Sequence, residues 1–455
     1  MQTSNSEPSE TIASYIARAQ QNSLPQNVAL KSKLHILDTV AAILSGSRLK
    51  PGAFAARFVQ ELGGRPESTV FGTTQTTSAV NAALANGMAA HADETDDSHL
   101  KARAHLGCAV IPAAWAVAER YKKSGQSLLN AVALGYDVGA RSTMALGYGV
   151  PKTHKHSTHS IATTFGAAAA AASLADLSAP ECIYLLSYAA QQASGIPSWN
   201  RDSEHIEKAF DFAGMTARNG VFSALIVKAG ATGVTDPLTG HHSFIHAFAD
   251  NADPAALTDG LGSRFEVMDA SIKKWCVGSP IQAALDSLTF LMAEHDVTAD
   301  AVKRMVVTMP DDRLHIVSDR DIPDICLQHL LAVTLADGTL NFASSHDEER
   351  LHDPAILALR QRMTVIPSAD LTHAKPARQA IVALELADGR TVEKRTVAVR
   401  GTPDNPMPPE EVQAKAAELL TPVVGGARAA EIIDTVMRLE TVGDVTDLRP
   451  LLQAG

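Results

Sequence analysis

The stretch between residues 81 and 125, NAALANGMAAHADETDDSHLKARAHLGCAVIPAAWAVAERYKKSG, contains two apolar segments joined by a strongly acidic one. Residues 81–90 are mostly apolar at helical spacing, and the apolar pattern returns over residues 108–118. Between them lies the densest cluster of ionisable groups in the chain, which comprises His91, Asp93, Glu94, Asp96, Asp97 and His99, with His105 close behind. We therefore predict two buried helices with ionisable groups at their mouth.

The acidic cluster has two interpretations. Charge clusters are usually the solvated ends of helices. If the helix instead persists, residues four apart share a face, so Glu94 lies over Ser98 and Asp93 lies over Asp97. A carboxylate and a histidine at the mouth of a buried helix pair can do acid/base chemistry, and the apolar flanks favour this second interpretation.

Composition indicates a large and mostly helical protein. A chain of 455 residues is too long for one ordinary core, so two domains are expected. The chain is rich in alanine, and only 5% of its residues are aromatic. Because alanine is the best helix former and lets helices approach closely, we expect most of the chain to be helical.

Charge and cysteine content restrict the partners and the compartment. The formal net charge of −11 argues against nucleic acid as a partner, but it leaves small anionic substrates open. The four cysteines form no CxxC pair, which predicts reduced thiols in a cytoplasmic protein. No apolar run is long enough to span a membrane, and the N-terminus carries no signal peptide.

The order of the predicted elements divides the chain. Helical patterns alternate with short loops up to about residue 260, and alternating runs joined at Asp388-Gly389 then give a strong hairpin signal. Helical patterns return near the C-terminus. This order predicts a mainly α protein, in which residues 1–268 and 403–455 form an all-helical domain and residues 269–402 form a smaller, inserted α+β domain.

A second group of ionisable residues is THKHSTH, residues 153–159, which precedes an Ala-rich helix. Its three histidines suggest either a metal site or an anion site. HExxH is absent and no companion pair stands at zinc-finger spacing, which disfavours metal. A helix N-terminus with imidazoles and with Lys152 or Lys155 suits a carboxylate better, and a plain surface loop is the remaining interpretation.

Two lysine segments are candidates for binding an anion. Lys208 ends the segment DSEHIEK and precedes an apolar run, which can draw it inwards. Lys273 and Lys274 stand in KKWC at the predicted domain change, and at most one of these adjacent side chains faces a cleft. The motifs GxGxxG, GxxxxGK[ST] and GxSxG are absent, which disfavours nicotinamide, nucleotide and serine-hydrolase chemistry and leaves cofactor-free proton transfer.

The order of several motifs resembles the MmgE/PrpD family over nearly the whole chain. These motifs are the segment from His91 to Ser98 with a following histidine, Phe165-Gly166 before a poly-Ala helix, QASG at 192–195, Lys208 with downstream ARNG at 217–220, and GTPDNPM at 401–407. The family includes 2-methylcitrate dehydratase, cis-aconitate decarboxylase and iminodisuccinate epimerase. The resemblance implies an all-helical domain from both chain ends, an α+β lid, a homodimer and an active site between the domains without cofactor or metal.

The resemblance also implies the site residues. The family's acidic and hydroxyl positions fall on Glu94 and Ser98, where Asp and Thr are more usual, and its first histidine falls on His105. The second histidine falls on His156, and the two lysines fall on Lys208 and Lys273. The loop from Ser98 to His105 and the gap from His156 to Phe165 each differ from the family by one residue.

We expect a lyase that dehydrates a 2-methylcitrate-like hydroxy polycarboxylate. His105 and His156 would transfer protons, Lys208 and Lys273 would stabilise the carboxylate charge, and Glu94 and Ser98 would orient a histidine or the substrate. An epimerase or a decarboxylase of a related acid is the alternative. A metal-dependent hydrolase that uses His91, Asp97, His154 and His159, or an inactive protein that only binds polycarboxylates, would belong to other classes.

Overall fold

The computed structural model describes residues 7–147 and 155–454. It contains two compact units. Unit 1 comprises Met1–Ala92, Asp96–Ala270 and Pro409–Gly455, and unit 2 comprises Asp93–Thr95 and Ser271–Pro408. Helices dominate the described residues, which confirms the expected mainly α class. None of these helices combines the length and the apolar character that a bilayer crossing requires.

The first part of unit 1 is a series of helices joined by short loops. Its α-helices are α1 (Glu7–Arg18), α2 (Gln26–Gly46), α3 (Lys50–Leu62), α4 (Ala79–Ala90), α5 (Gly107–Arg120), α6 (Gly125–Met144), α7 (Thr158–Leu174), α8 (Ala179–Gln192), α9 (Ile206–Ala209), α10 (Met215–Lys228) and α11 (Phe244–Phe248). The short strands β1 (Ser68–Thr69), β2 (Thr76–Thr77) and β3 (Ser98–His99) accompany them, and β4 (Ala270–Ser271) lies at the boundary with unit 2.

Small residues let the central helices of unit 1 pack closely. Gly135 of α6 faces Gly166 of α7, and a Cβ atom added to Gly166 would lie 2.6 Å from the carbonyl oxygen of Gly135. The same atom would lie 2.9 Å from Val110 of α5. The low aromatic content therefore reflects helices whose backbones approach one another, with alanine and glycine at the contacts.

Unit 2 combines helices with a four-stranded sheet. Its strands are β5 (Val302–Pro310), β6 (Met363–Ser368), β7 (Ala380–Leu386) and β8 (Thr391–Thr396), and its α-helices are α12 (Gln282–His295), α13 (Asp311–Val317), α14 (Leu327–Asp337), α15 (Phe342–Ser345), α16 (Pro354–Arg360) and α17 (Ala369–Thr372). The strand order is β6-β5-β7-β8, with β5 and β6 parallel and the other pairs antiparallel.

The β7–β8 hairpin forms where the Asp-Gly signal predicted it. Ala380 pairs with Thr396 and Glu385 pairs with Thr391. Gly389 has a φ of 89° in the turn, a conformation that glycine adopts without steric cost. Helix α12 packs on both strands, and one buried cluster contains Leu285 of α12 and Val382 of β7. β8 is one of the two edge strands of the sheet, and β6 is the other.

The end of the chain returns to unit 1 through α18 (Pro409–Val424), α19 (Gly426–Met437) and α20 (Arg449–Leu452). Lys415 of α18 lies 2.7 Å from Asp38 of α2, and both side chains are buried. Burial raises the pKa of Asp38 to about 6, although Lys415 opposes the shift. This buried ion pair joins the two ends of the sequence within one unit.

Close packing at Gly166 predicts a stability cost for Gly166→Ala. The new methyl group would press on the backbone of Gly135, which cannot move without displacing α6, so a loss of about 1–3 kcal/mol is expected. The matched control is Gly426→Ala at the start of α19, where an added Cβ meets no described atom within 4 Å. Chemical denaturation should show a lower free energy of unfolding for Gly166→Ala and an unchanged one for Gly426→Ala. Equal stability of the two variants would contradict the packing.

Candidate active site

The acidic loop that follows α4 is buried. The helix ends at Ala90, so the predicted stacking of Glu94 on Ser98 and of Asp93 on Asp97 along a continuing helix is wrong. Asp93 Oδ1 instead accepts a hydrogen bond from the Thr95 amide at 2.7 Å, a local turn that competes with the helix. The alternative of a solvated helix end is also wrong, because residues 91–99 are all buried.

Asp96 lies between two imidazoles at the centre of this loop. Its Oδ1 is 3.0 Å from His91 Nδ1, and its Oδ2 is 3.3 Å from His105 Nδ1. Burial would raise the pKa of Asp96, but the charges of His91 and His105 and hydrogen bonds with both outweigh burial and hold this pKa well below its usual range. Asp96 is therefore an ionised carboxylate inside the protein.

An ionised carboxylate can only accept hydrogen bonds, so each facing Nδ1 carries a proton. The other ring nitrogen of His105, Nε2, lies at the end of the ring away from Asp96. His91 is fully buried, whereas the His105 side chain retains 11% exposure. Of the two imidazoles, His105 is thus the one placed to exchange a proton with a bound molecule.

Three histidines of unit 1, His91, His105 and His159, lie against Phe212. A fourth, His205, lies against His91, and we call these four residues the imidazole cluster. The rings of His91 and His159 stack on Phe212 at centroid distances of 4.6 and 3.8 Å. His105 lies 5.3 Å from His159, and His91 lies 5.3 Å from His205. Several titratable rings thus share one apolar surface, which is an environment suited to general acid and base groups.

A π-helical turn, Phe210–Gly214, presents Phe212 to the imidazole cluster. Such wide turns are rare and are frequently found at functional sites. The hydroxyls of Thr163 and Thr216 donate to the Phe212 carbonyl, each at 3.1 Å. His205, just before α9, has a φ of 61°, a left-handed conformation that is costly for a histidine. Both irregularities lie beside the same group of rings.

Asp211 connects this turn to the start of α7. Ser157 donates a hydrogen bond to Asp211 Oδ2 at 2.6 Å. Burial raises the pKa of Asp211 to about 6, although hydrogen bonds from Ser157 and Ser160 oppose the shift. The contact fixes the first turn of α7, which carries His159, against the element that carries Phe212.

The remaining predicted residues of unit 1 have different surroundings. The Lys208 ammonium lies 5.4 Å from the centre of the Phe212 ring and 5.7 Å from that of Trp199, beside the imidazole cluster. Ser98 is buried in β3. The His156 ring instead packs against Phe248, with centroids 4.8 Å apart. Burial, and then the charge of Lys155, lower the pKa of His156.

Glu94 and Lys273 meet inside unit 2. Lys273 Nζ donates to the Glu94 carbonyl oxygen at 2.5 Å and lies 3.5 Å from Glu94 Oε2, with both residues 4% exposed. Lys274 points elsewhere, because its ammonium lies 4.4 Å from the centre of the Trp275 ring. Lys273 is therefore the buried member of the lysine pair.

A second ion pair of unit 2 joins the buried Asp93 to His346, which is half-buried. His346 Nε2 is 3.2 Å from Asp93 Oδ2, and its Nδ1 lies 2.8 Å from the Phe342 carbonyl oxygen. Burial would lower the pKa of His346, but the hydrogen bond to Asp93 and the charges of Asp93 and Asp324 raise it to about 9. His346 is therefore an imidazolium at neutral pH.

Among the described residues of the hydrolase alternative, Asp97 does not form a metal-ligand group with His91 and His159. Asp97 pairs with His35 at 2.8 Å and accepts from the Tyr136 hydroxyl and the Gly107 amide, so it is engaged in the packing of α5 and α6. His154 lies outside the described residues. A different set, His91, Asp96 and His105, brings its ligand-type atoms within 4.8 Å of one another. Three such ligands match a catalytic zinc site in number.

Sequence reasoning missed Asp96, Phe212, His205 and His346 as members of these groups, and it weighed His159 only as a metal ligand or as part of an anion site. The three histidines of THKHSTH and the single histidine of DSEHIEK were a signal for the imidazole cluster. Their spacing did not tell which ring would join it. His346 follows the short helix α15 and carries no local signal at all. Its role depends on a contact with a residue 253 positions earlier, at Asp93.

Comparison with known proteins gives a consistent result. The family model of the MmgE/PrpD N-terminal domain matches residues 10–257, and that of the MmgE/PrpD C-terminal domain matches residues 275–441. The chain is similar to the cis-aconitate decarboxylase-like protein oryM of Aspergillus oryzae, with 24% identity over 97% of this chain and 96% of the relative.

Two mammalian proteins are also similar. The cis-aconitate decarboxylase of Homo sapiens is 25% identical over 98% of this chain and 94% of the relative. That of Mus musculus is 23% identical over 98% of this chain and 93% of the relative. The family expected from the sequence motifs is thereby confirmed.

The Asp93–His346 pair predicts a pH-dependent stability. The pKa of His346 is higher in the folded state, about 9, than its ordinary value of 6.5, so its contribution is complete below about pH 6.5 and is lost as pH rises through 9. Asp93→Asn should remove a few kcal/mol near pH 6.5, at about 1.4 kcal/mol per pKa unit, and flatten the decline to pH 9. Urea denaturation at several pH values measures both effects.

The control for this experiment is His315→Gln, which removes an exposed histidine of the same unit. It should keep the pH dependence of the natural protein. A decline for Asp93→Asn as steep as that of the natural protein would show that the pair does not set the protonation of His346.

Proposed function

The chain belongs to the MmgE/PrpD family, and on this premise we propose that it is a cofactor-independent lyase for a small hydroxy polycarboxylate, with 2-methylcitrate-like dehydration as its reaction. The observation that carries the proposal is the pair of imidazoles of His105 and His159, 5.3 Å apart, with His105 held by an ionised Asp96. Two such groups can take and deliver protons on one substrate.

Dehydration needs one base and one acid. In the proposed reaction, His105 Nε2 takes the proton from the carbon beside a carboxylate, and the electron pair of the C–H bond forms the alkene. The hydroxyl on the neighbouring carbon leaves as water with a proton from the imidazolium of His159. The proposal thus gives His159 the role that the resemblance assigns to His156, because His159 lies beside His105 in the structure.

Charge stabilisation is the second requirement. Removal of the proton places negative charge on the carboxylate oxygens, and a fixed cation stabilises that charge most when water is excluded. We assign this role to Lys208, beside the imidazole cluster, and to Lys273 of unit 2. Ser98 and Glu94 would orient the substrate or a cation, and Glu94 already holds the Lys273 ammonium through its carbonyl oxygen.

Decarboxylation is the second candidate reaction. It is favoured by the printed names of the three relatives, which are cis-aconitate decarboxylases or a like protein. The same groups would serve, because loss of carbon dioxide leaves a carbanion that an imidazolium protonates. Reprotonation on the opposite face, without loss of any group, would make the protein an epimerase.

The remaining parts of the proposal follow the family. Unit 2 would act as the lid, two copies would form a homodimer, and the protein would work in the cytoplasm. A metal-dependent hydrolase is the rival from another class, since His91, Asp96 and His105 also suit a metal in number and type. Binding of polycarboxylates without turnover is the remaining alternative.

A substrate panel tests the proposal. The purified protein is incubated with 2-methylcitrate, citrate, cis-aconitate and iminodisuccinate, while alkene absorbance, carbon dioxide and deuterium uptake are followed. We expect alkene formation from 2-methylcitrate that a chelator leaves unchanged. Carbon dioxide from cis-aconitate would instead support the second candidate. Absence of all three signals with every acid would contradict the proposal. If a chelator removes one equivalent of bound metal and the activity is lost with it, the hydrolase is favoured.

Histidine variants provide the internal controls. His105→Gln and His159→Gln should each lower kcat by about 10²–10⁴-fold, the usual contribution of a general acid or base. His156→Gln should have a smaller effect, and His315→Gln on the surface of unit 2 should have none. A large loss for His156→Gln together with full activity of His159→Gln would restore the assignment that the family resemblance implies.

A further inference from the structure

A groove on unit 2 runs beside the edge strand β8 of its sheet. It has a volume of about 640 Å³, which is within the usual range for small-molecule sites. Helix α12 supplies Asp286, Thr289 and Phe290 to one side of the groove. The other side is formed by the end of β8 and the segment after it, residues 394–400. None of its lining residues belongs to the imidazole cluster or to the Glu94–Lys273 pair.

The lining of the groove is basic in a chain whose formal net charge is −11. Four cationic side chains line it, and these are Lys274, Lys394, Arg395 and Arg400. The Lys394 ammonium lies 3.7 Å from the centre of the Phe290 ring, and that of Lys274 lies 4.4 Å from the centre of the Trp275 ring. Within the described part of the chain, no carboxylate forms an ion pair with either lysine.

The single carboxylate of the lining, Asp286, accepts hydrogen bonds from two neighbouring N–H groups. Its Oδ1 accepts from Trp275 Nε1 at 2.9 Å, and its Oδ2 accepts from the Arg400 amide at 2.8 Å. Burial raises the pKa of this carboxyl group, although these hydrogen bonds and the nearby cations oppose the shift. Asp286 therefore offsets part of the positive charge, but one carboxylate against four cationic side chains leaves the lining with a net positive charge.

Two of the cations donate hydrogen bonds to neutral side chains. Arg395 Nε donates to Gln379 Oε1 at 2.9 Å, and Arg400 donates to Asn405 Oδ1 at 2.9 Å. A guanidinium held in this way loses less conformational freedom when it binds an oxyanion, and its fork matches carboxylate and phosphate groups. The groove thus offers oriented donors together with compact ammonium charges.

We propose that this groove binds a small anion with several charges, and that it is a ligand site separate from the imidazole cluster. The ligand chemistry is that of phosphate or carboxylate oxygens on a molecule small enough for about 640 Å³. A phosphorylated metabolite and a polycarboxylic acid are the two sources of such groups. The proposal concerns binding alone and does not depend on which reaction the protein catalyses.

Isothermal titration of the full-length protein with pyrophosphate, and separately with citrate, tests the proposal at low and at moderate salt. The test variant is Lys394→Glu/Arg395→Glu. The matched control is Lys303→Glu/Arg304→Glu, because these residues form an exposed Lys-Arg pair on β5 of the same unit, outside the groove. Thermal unfolding of each variant checks that it folds, and Lys394→Gln replaces the double variant where charge reversal prevents folding.

We expect millimolar or tighter binding of at least one anion, weakened at least tenfold by the test variant and less than twofold by the control. The anion that binds more tightly identifies the source. Absence of binding by the natural protein, or equal weakening by both variants, would overturn the proposal. If the test variant binds every such anion as tightly as the natural protein does, the ligands lie elsewhere, and the proposal is likewise overturned.

Discussion

An ionised carboxylate held between two imidazoles is the interaction on which the site of unit 1 depends. Asp96 is fully buried, and a buried charge is tolerated only when it is paired and hydrogen-bonded. His91 and His105 supply those partners at 3.0 and 3.3 Å. In return, the carboxylate fixes the ring orientation and the proton position of each imidazole, so that His105 presents a defined nitrogen to its surroundings.

The same rule governs the other buried acids near this loop. Asp97 pairs with His35 and Tyr136, Asp93 pairs with His346, and Glu94 lies against Lys273. Each acid of the DETDD segment therefore has its own counter-group, although the segment has no regular secondary structure. The close helix contacts of Gly135 and Gly166 have a comparable effect on the body of unit 1, since they leave no room for the helices to shift.

Local signals predicted those parts of the structure that local forces determine. The apolar pattern before residue 91 predicted a buried helix, and Asp388-Gly389 predicted the β7–β8 hairpin, because spacing and turn preference act over a few residues. The end of α4 at Ala90 was not predicted, since it depends on the Asp93–Thr95 turn and on partners from α2, α5 and α6. The position of His159 beside His105 was not predicted for the same reason. Tertiary packing places His159 on Phe212 and His156 on Phe248, and spacing within THKHSTH does not show this.

The protonation of His91 and His105 tests the central claim most directly. Nitrogen-15 NMR spectra that correlate ring nitrogens with ring protons distinguish a proton on Nδ1 from one on Nε2. The account predicts that Nδ1 of both histidines carries a proton at neutral pH, because each Nδ1 faces the ionised Asp96. A spectrum in which His105 is protonated on Nε2 alone would contradict the account.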